Sequence, residues 1–279
     1  MAWLLEPFAV PFMQRALLGG TVAAVICAVV GTWVLVRGMA FLGEALAHGM
    51  LPGVAVATLA GWPPVLGAAA SAAVMSVGVG AVARRARLSS DTAIGLLFAG
   101  MLALGVVIVS RSRSFATDLT SILFGDVLAI RTADIALLAG ALVVVLAASL
   151  VLHRPFLALC FDTRTAAVLG MRPRAAHVAM VLLVATAVVV SYQALGALLV
   201  VALLLAPSAA TRQWTHRLPP TVALGAVFGA VSVAAGLLLS WHAGTAGGAS
   251  IALCAVALVA LSVAARSVAA RSAAVPTRS

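Results

Sequence analysis

The sequence contains no lysine, and it has only seven acidic residues and one tyrosine. A Walker A loop requires a lysine that contacts the nucleotide phosphates, so this chain cannot carry an ordinary P-loop ATPase. Any function driven by ATP must therefore use a nucleotide site on another subunit.

Cysteine is also scarce. Cys27, Cys160 and Cys254 are isolated, without the CxxC spacing or the nearby histidine pattern that indicates a structural zinc site. We interpret them as small buried residues. The N-terminus has no basic segment ahead of its apolar part, and no small-residue cleavage pattern follows, which disfavours a removed signal peptide.

Long hydrophobic runs dominate the chain. Of its 279 residues, 64% are hydrophobic and 9% are charged, and the mean hydropathy is +1.21, far outside the range of a soluble domain. Because a spanning helix needs about 20 apolar residues, the length has room for roughly eight to ten crossings. The sequence predicts an all-α polytopic membrane protein with one transmembrane domain over residues 1–279.

Nine apolar runs are bounded by Arg, Pro or Gly. They cover residues 16–36, 40–60, 63–83, 91–109, 134–152, 176–193, 195–211, 221–241 and 246–265. The stretch 176–211 either crosses twice, with a turn near Tyr192 to Gly196, or includes a broken helix. Glycines from Gly67 to Gly80 are typical of tight packing between membrane helices.

The net charge of +10 comes from arginines that stand singly or in short groups between apolar runs. With the N-terminus outside, 13 of the 17 arginines fall in inner loops, a clear positive-inside bias. The bias predicts a cytoplasmic C-terminus with a tail over 267–279. This spacing favours membrane topology over nucleic-acid binding as the origin of the charge.

Three segments outside the spans have predicted places. Residues 1–15 form an interfacial N-terminal segment. In the outer loop, Leu119 to Ile130 is apolar but too short to cross, which predicts a re-entrant or interfacial helix. In the inner loop, residues 153–177 contain a short amphipathic stretch that ends at Gly170, which predicts a helix on the cytoplasmic face.

Glu44 and His48 form a carboxylate and imidazole pair inside the second span. Their separation of four residues places both on one helical face. With Arg37 at the inner boundary, Glu44 lies about 10 Å and His48 about 16 Å into a core about 30 Å thick. Because Pro52 has no N–H, it leaves the backbone carbonyl of His48 free for a cation or water.

A carboxylate, an imidazole and a carbonyl suit divalent ions such as zinc, manganese or ferrous iron. Alternatively, Glu44 and His48 satisfy each other or hydrogen-bond neighbouring helices, and from spacing alone this structural alternative is slightly favoured. An HExxH metalloprotease is excluded, because Gly43 stands where that motif needs histidine.

Four further polar residues could line a pathway together with Pro52. Asp118 and Asp126 flank the predicted outer re-entrant piece, where they could attract cations, although solvated helix ends are the simpler explanation. Tyr192 and Gln193 are polar enough to line a pore and equally suited to a turn.

Several motifs together resemble one family. They are RGMAFLGEALAHGMLPGVAVA in the second span, DTAIGLLFAGMLALGVV in the fourth, LFGDVL in the outer loop, FDTRTAAVLGMR in the inner loop and QALGALLVVALLLAPSAATR before the last two spans. Over nearly its whole length the chain resembles the permease subunit of bacterial metal-ion ABC importers, which take up zinc, manganese or iron.

The resemblance implies a type II ABC importer-like permease in the bacterial inner membrane. Two copies would form a dimer around a central path, two ATPase subunits would dock beneath them, and an extracytoplasmic metal-binding protein would deliver the ion. The permease would not be an enzyme and would hold no permanent cofactor, only the transported metal. Its coupling helix would correspond to residues Phe161, Asp162, Arg164, Ala167, Leu169, Gly170 and Met171.

The chain departs from the family pattern in two places. Glu44 stands where the family commonly has aspartate, which keeps the charge but lengthens the side chain by one methylene. The segment SWHAGTAGGAS lacks the aspartate and proline often found ahead of the glycine, so it gives no indication of an outer gate.

The sequence is also compatible with two other functions. A permease for metal chelates such as siderophores or cobalamin has a related fold, but its path should be wider and lack a ligand pair within the membrane. An ion-coupled secondary carrier would need no ATPase, and it should contain further buried carboxylates for proton or sodium coupling.

Overall fold

The computed structural model describes residues 6–86, 89–110, 125–161, 173–215 and 217–273, and in these residues all regular structure is helical. Two short 3-10 turns cover Glu6–Ala9 and Val127–Ala129. The α-helices are α1 (Pro11–Arg37), α2 (Ala40–Gly49), α3 (Leu51–Leu59), α4 (Pro64–Arg85), α5 (Ser90–Val109), α6 (Thr132–Val151), α7 (His153–Phe161), α8 (Pro173–Leu195), α9 (Ala197–Arg212), α10 (Leu218–Ala243) and α11 (Gly247–Ala273).

Each of the nine predicted apolar runs is helical. Eight spans in the described part of the chain are long and apolar enough to cross a membrane, with α2 and α3 counting as one span over Ala40–Leu59. The ninth, α9, is shorter, at 16 residues. The prediction of an all-α polytopic membrane protein is therefore confirmed.

Some bounds differ from those predicted. The helix α1 begins at Pro11, because proline fits the first turn of a helix, where no N–H is needed. The last part of the predicted N-terminal interfacial segment is thus helical. At the other end, α11 continues to Ala273, into the predicted tail.

The helices pack as two groups with α8 between them. In one group α1 contacts α6, α9 and α10, and in the other α2 and α3 contact α4 and α5. The helix α8 touches α1 and α6 on one side and α2 and α4 on the other. The most buried spans are α1, α2 with α3, and α8, so the core lies along these central helices.

Glycines bring two pairs of backbones into direct contact. A Cβ on Gly31 would overlap the carbonyl oxygen of Leu204, which places α1 against α9. On α3 and α4, a Cβ on either Gly53 or Gly67 would overlap the carbonyl of the other. Lipid tails give no hydrophobic drive between membrane helices, so this close van der Waals packing is what holds them together. The tight packing predicted around Gly67 is present.

The register of α9 on α1 determines the depth of the turn before it. The thiol of Cys27 lies 4.0 Å from the carbonyl of Val200, and Gly31 meets Leu204 four residues later on both helices, so the two helices run in the same direction. Extrapolated back, Gly196 lies level with Ala23, about 20 Å from Arg37 at a rise of about 1.5 Å per residue. We call the end that holds Arg37 the inner end and the opposite end the outer end.

The stretch 176–211 forms the two helices α8 and α9, with a turn between them at Gly196. The φ of Gly196 is 81°, a value that favours glycine. The outer loop packs against this turn. A Cβ on Gly125 would lie only 2.5 Å from the backbone nitrogen of Gly196. Val127 and Ile130 are 2% and 3% exposed. This part of the predicted re-entrant segment lies below the outer end, inside the bundle.

The glycine contacts give a test of the packing. Gly67→Ala should destabilise the protein by about 1–3 kcal/mol, because α3 and α4 must separate to admit the methyl group. Gly100→Ala on α5 is the matched control, since its Cβ meets nothing within 4 Å. Alanine there should be neutral or stabilise by about 0.5–1 kcal/mol. Thermal unfolding of the purified protein in detergent measures both, and equal midpoints for the two variants would contradict the close approach.

A carboxylate and imidazole pair within the membrane

Glu44 and His48 lie on α2, at a depth that neighbouring contacts fix. A Cβ on Gly43 would overlap the side chain of Leu204, whose carbonyl lies against Gly31. Gly31 is six residues before Arg37 in α1, so this level is about 9 Å from the inner end. The depth agrees with the value of about 10 Å that the sequence predicts for Glu44.

The two faces of α2 differ in burial. Leu42, Ala45, Leu46 and Ala47 are at most 2% exposed and face the interior of the bundle. On the other face, Phe41 is exposed and Glu44 and His48 are half-buried. The chain therefore leaves a carboxylate and an imidazole partly uncovered at membrane depth.

The His48 ring is held in one orientation by two contacts. Its Nδ1 lies 3.1 Å from the backbone carbonyl oxygen of Glu44. Because a carbonyl can only accept, this bond requires the proton on Nδ1, and in the neutral ring this leaves the lone pair of Nε2 available to a metal. The ring of Phe98 on α5 meets the imidazole edge to face, with centroids 5.7 Å apart and an interplanar angle of 82°.

Phe98 is a site residue that the sequence does not single out. It also contacts Phe41, with ring centroids 5.8 Å apart, and so links the exposed face of α2 to α5. The available signal was one aromatic residue in an otherwise aliphatic helix, which is too common to indicate a site.

The carboxylate of Glu44 accepts no hydrogen bond from any residue that the structure describes. In particular, Glu44 and His48 are not bonded side chain to side chain, because His48 uses the backbone carbonyl instead. Mutual satisfaction of the two side chains is thus absent from the described structure. A partly exposed carboxylate and the free Nε2 can both act as ligands.

The second span is interrupted directly beside the pair, since α2 ends at Gly49 and α3 begins at Leu51. Pro52 has no N–H to donate to the carbonyl of His48. The N–H of Gly53 is donated to the hydroxyl of Ser71 on α4, at 3.2 Å, instead of to the carbonyl four residues earlier. Two successive carbonyls thus lose their usual helical donors, and the sequence predicts only the first.

The predicted outer pathway residues gather elsewhere. Asp126 is exposed, and its carboxylate accepts the N–H of Leu128 at 3.2 Å, which caps a 3-10 turn. Because Gly125 contacts Gly196, Asp126 lies near the turn that follows Tyr192 and Gln193. Tyr192 is buried and Gln193 is exposed. This turn is about 10 Å further from the inner end than Glu44, so the structure does not join the two sets.

No three histidine, cysteine, aspartate or glutamate residues in the described part of the chain gather around one point. Among the described residues, Glu44 and His48 are thus the two side chains at this point with the chemistry of metal ligands. Asp118 and the predicted coupling residues Asp162, Arg164, Ala167, Leu169, Gly170 and Met171 lie outside the described residues. Phe161 is the last residue of α7.

Known proteins are similar to this chain in sequence. The manganese transport system membrane protein MntC of Halalkalibacterium halodurans is 36% identical over 244 residues, which cover 88% of this chain and 84% of that protein. The chelated iron transport system membrane protein YfeD of Yersinia pestis is 33% identical over 250 residues, with 89% and 83% covered.

Solved structures match as well. PsaBC from Streptococcus pneumoniae, in complex with Fab, has a chain with a TM-score of 0.84 and 29% identity, and 94% of each chain is covered. An inward-facing metal-chelate type ABC transporter, with a TM-score of 0.71, 15% identity and 91% and 85% covered, shares the fold. The model of the ABC 3 transport family matches residues 9–266, so the resemblance is confirmed: this chain belongs to the ABC 3 transport family.

Proposed function

We propose that this chain is the membrane-spanning subunit of an ATP-driven importer of divalent metal ions, with manganese, iron or zinc as the transported ion. The observation that carries the proposal is the uncovered face of α2, where a carboxylate and an imidazole stand at membrane depth. The relative named for manganese transport supports the metal-ion assignment, and the relative named for chelated iron transport supports a metal as part of the cargo.

The uncovered face also supports a dimer. A carboxylate at the centre of a spanning helix costs about 2.5–3.5 kcal/mol on insertion scales, so it should face a polar path and not lipid. Two copies that meet along α2 would enclose such a path and bring two carboxylates and two imidazoles to it. That donor set suits first-row divalent ions.

The ligands that each chain offers suit weak, reversible binding of the transported ion. Each chain offers the carboxylate of Glu44, the Nε2 of His48 and a carbonyl beside Pro52, and water can complete the shell. A site with few fixed ligands can release the ion when the helices move, which alternating access requires. We infer that Glu44, His48 and Pro52 mark an intermediate binding position, and that Asp126, Tyr192, Gln193 and Asp118 line the outer entrance.

The energy source lies on other subunits. Because the chain lacks lysine, nucleotide must be hydrolysed by separate ATPase subunits, two for a dimer of permeases. The segment from Phe161 to Met171 would contact them as a coupling helix. The positive-inside bias supports a cytoplasmic position for this segment and for the C-terminus, with the chain in the inner membrane. A metal-binding protein would deliver the ion from the other side.

Two observations weigh against the other functions. A chelate permease needs a path wide enough for an organic ligand, whereas Phe41 and Phe98 crowd the face that carries the pair. A secondary carrier needs several buried carboxylates, but within the described helices Glu44 is the one acidic residue away from a helix end.

Metal uptake should depend on ATP hydrolysis. When the chain is reconstituted in liposomes with its ATPase subunits and binding protein, uptake of manganese, iron or zinc should require ATP inside the vesicles. Radioactive or fluorescent metal assays measure this directly. Uptake of the same size without ATP would exclude an ABC importer and favour the secondary carrier.

Metal uptake should also depend on the side chains of Glu44 and His48. Glu44→Gln and His48→Ala should each reduce metal uptake by at least about tenfold, equivalent to about 1.4 kcal/mol or more, because each removes a charged or coordinating group from the path. The complex should still assemble, as size-exclusion chromatography would show.

His242→Ala is the matched control for His48. His242 has the same bond from Nδ1 to the carbonyl four residues earlier, at 2.8 Å, but it is exposed at the outer end of α10. Glu6→Gln controls for loss of an exposed carboxylate. Both controls should transport at the wild-type rate. Normal uptake in the Glu44 and His48 variants would show that the pair has a structural role.

A further inference from the structure

Trp33 joins the inner part of α1 to the corner between α6 and α7. The residue is 3% exposed, and its indole N–H donates to the hydroxyl of Ser149 at 2.7 Å. Its ring meets His153 at 5.5 Å with an interplanar angle of 66°, and Phe156 at 5.4 Å with an angle of 75°. One side chain thus contacts the last turn of α6 and the first turn of α7.

Arg37 makes a second connection, one helical turn further along α1. Its guanidinium donates to the backbone carbonyl of Leu159, near the end of α7. Phe156 and Leu159 are 0% and 1% exposed, so the face of α7 between the two connections is buried. A short helix held at both ends in this way cannot tilt or slide without moving the end of α1.

The helices α7 and α1, which Trp33 and Arg37 connect, continue into different parts of the proposed transport machinery. The helix α7 ends at Phe161, where the segment proposed to contact the ATPase begins. The helix α1 ends at Arg37, and Gly38, with a φ of 71° and open space around it, joins it to α2. Glu44 follows seven residues after Arg37.

We propose that Trp33 and Arg37 are positioning residues that carry movement of the ATPase-contacting segment to the metal ligands. In this mechanism α7 and the inner end of α1 move as one body. Gly38 then acts as the hinge at which that movement turns α2, and with it Glu44 and His48. The proposal rests on the proposed function and adds the route by which nucleotide-driven movement reaches the ion.

Directional contacts suit this role better than general apolar packing. The indole N–H bond to Ser149 fixes the Trp33 ring against α6. The two edge-to-face ring contacts and the guanidinium bond then each require a particular orientation of α7. They therefore fix both the angle and the distance of α7 relative to α1.

The test measures the number of metal ions transported per ATP hydrolysed by the complete reconstituted complex. Trp33→Leu and Arg37→Gln should lower this ratio at least fivefold while ATP hydrolysis continues. Ser149→Ala, which removes only the acceptor of the Trp33 bond, should lower it about twofold. Arg37→Lys, which keeps a donor, should recover part of the Arg37→Gln loss.

Trp214 and Ser262 provide a matched control on the same side of the molecule. The indole N–H of Trp214, just beyond α9, donates to the hydroxyl of Ser262 on α11, also at 2.7 Å. Neither residue belongs to α1, α6 or α7, whereas Trp33, held by the Ser149 bond, also carries the ring contacts to α7. Trp214→Phe and Ser262→Ala should therefore keep the wild-type ratio, although each deletes an equivalent bond.

The outcomes separate the two proposals. If the wild-type complex shows no ATP-dependent uptake, the proposed function fails. If the wild type transports and the Trp33 and Arg37 variants keep its ratio, this inference fails alone. If the Trp33→Leu complex does not assemble, the comparison of Ser149→Ala with Ser262→Ala tests the inference instead. Equal numbers of metal ions transported per ATP in those two variants would overturn it. Binding of manganese alone without ATP should be unchanged in every variant, since none alters Glu44 or His48.

Discussion

The contacts of Leu204 align three helices, and the positions of the other functional parts follow from this alignment. Its carbonyl lies against Gly31 of α1, and its side chain lies against Gly43 of α2. The first contact fixes the depth of α9 and hence of the turn at Gly196, on which the outer loop rests. The second fixes the level of Glu44 and His48. In a bilayer, where lipid competes equally for apolar surface, such close approaches are the available means of setting depth.

Against this background the state of Glu44 is unusual. Several hydroxyl side chains inside the helices donate to the backbone of their own helix. Thr32, Thr58, Ser76 and Ser232 each donate to the carbonyl four residues earlier at 2.7–2.8 Å. His48 follows the same pattern through Nδ1. The carboxylate of Glu44 cannot, because it has no proton to donate when ionised. Because no described residue of the chain donates to it, a cation, water or another chain suits it as a partner, which agrees with a transport path.

The sequence predicts features that depend on local composition or on spacing within one helix. The number of spans, the shared face of Glu44 and His48, and the depth of the pair all follow from hydropathy and helical geometry. The turn at Gly196 also lies where a polar residue and a glycine interrupt an apolar run. These features need no knowledge of neighbouring helices.

Features that depend on distant partners could not be predicted in this way. The break at Met50 lies in a continuous apolar run, and it requires Ser71 of another helix to take the N–H of Gly53. Phe98 and Trp33 are single aromatic residues without a pattern, and the bond from Trp33 to Ser149 spans 116 positions of sequence. Hydropathy likewise placed the start of α1 too late, because the proline and polar residues near its N-terminus interrupt the apolar run without ending the helix.

Because α9 is short, the packing around α1 differs between the inner and the outer part of the membrane. Near the inner end α1 has α9 alongside it, with helix packed on helix. Beyond Gly196 that neighbour is missing, and residues 125–130 of the outer loop take its place with few backbone bonds of their own. Segments with few internal hydrogen bonds open locally at a lower free energy than packed helices. Residues 125–130 are thus softer than the helices around them, and their amide hydrogens should exchange sooner than those at the level of Leu204.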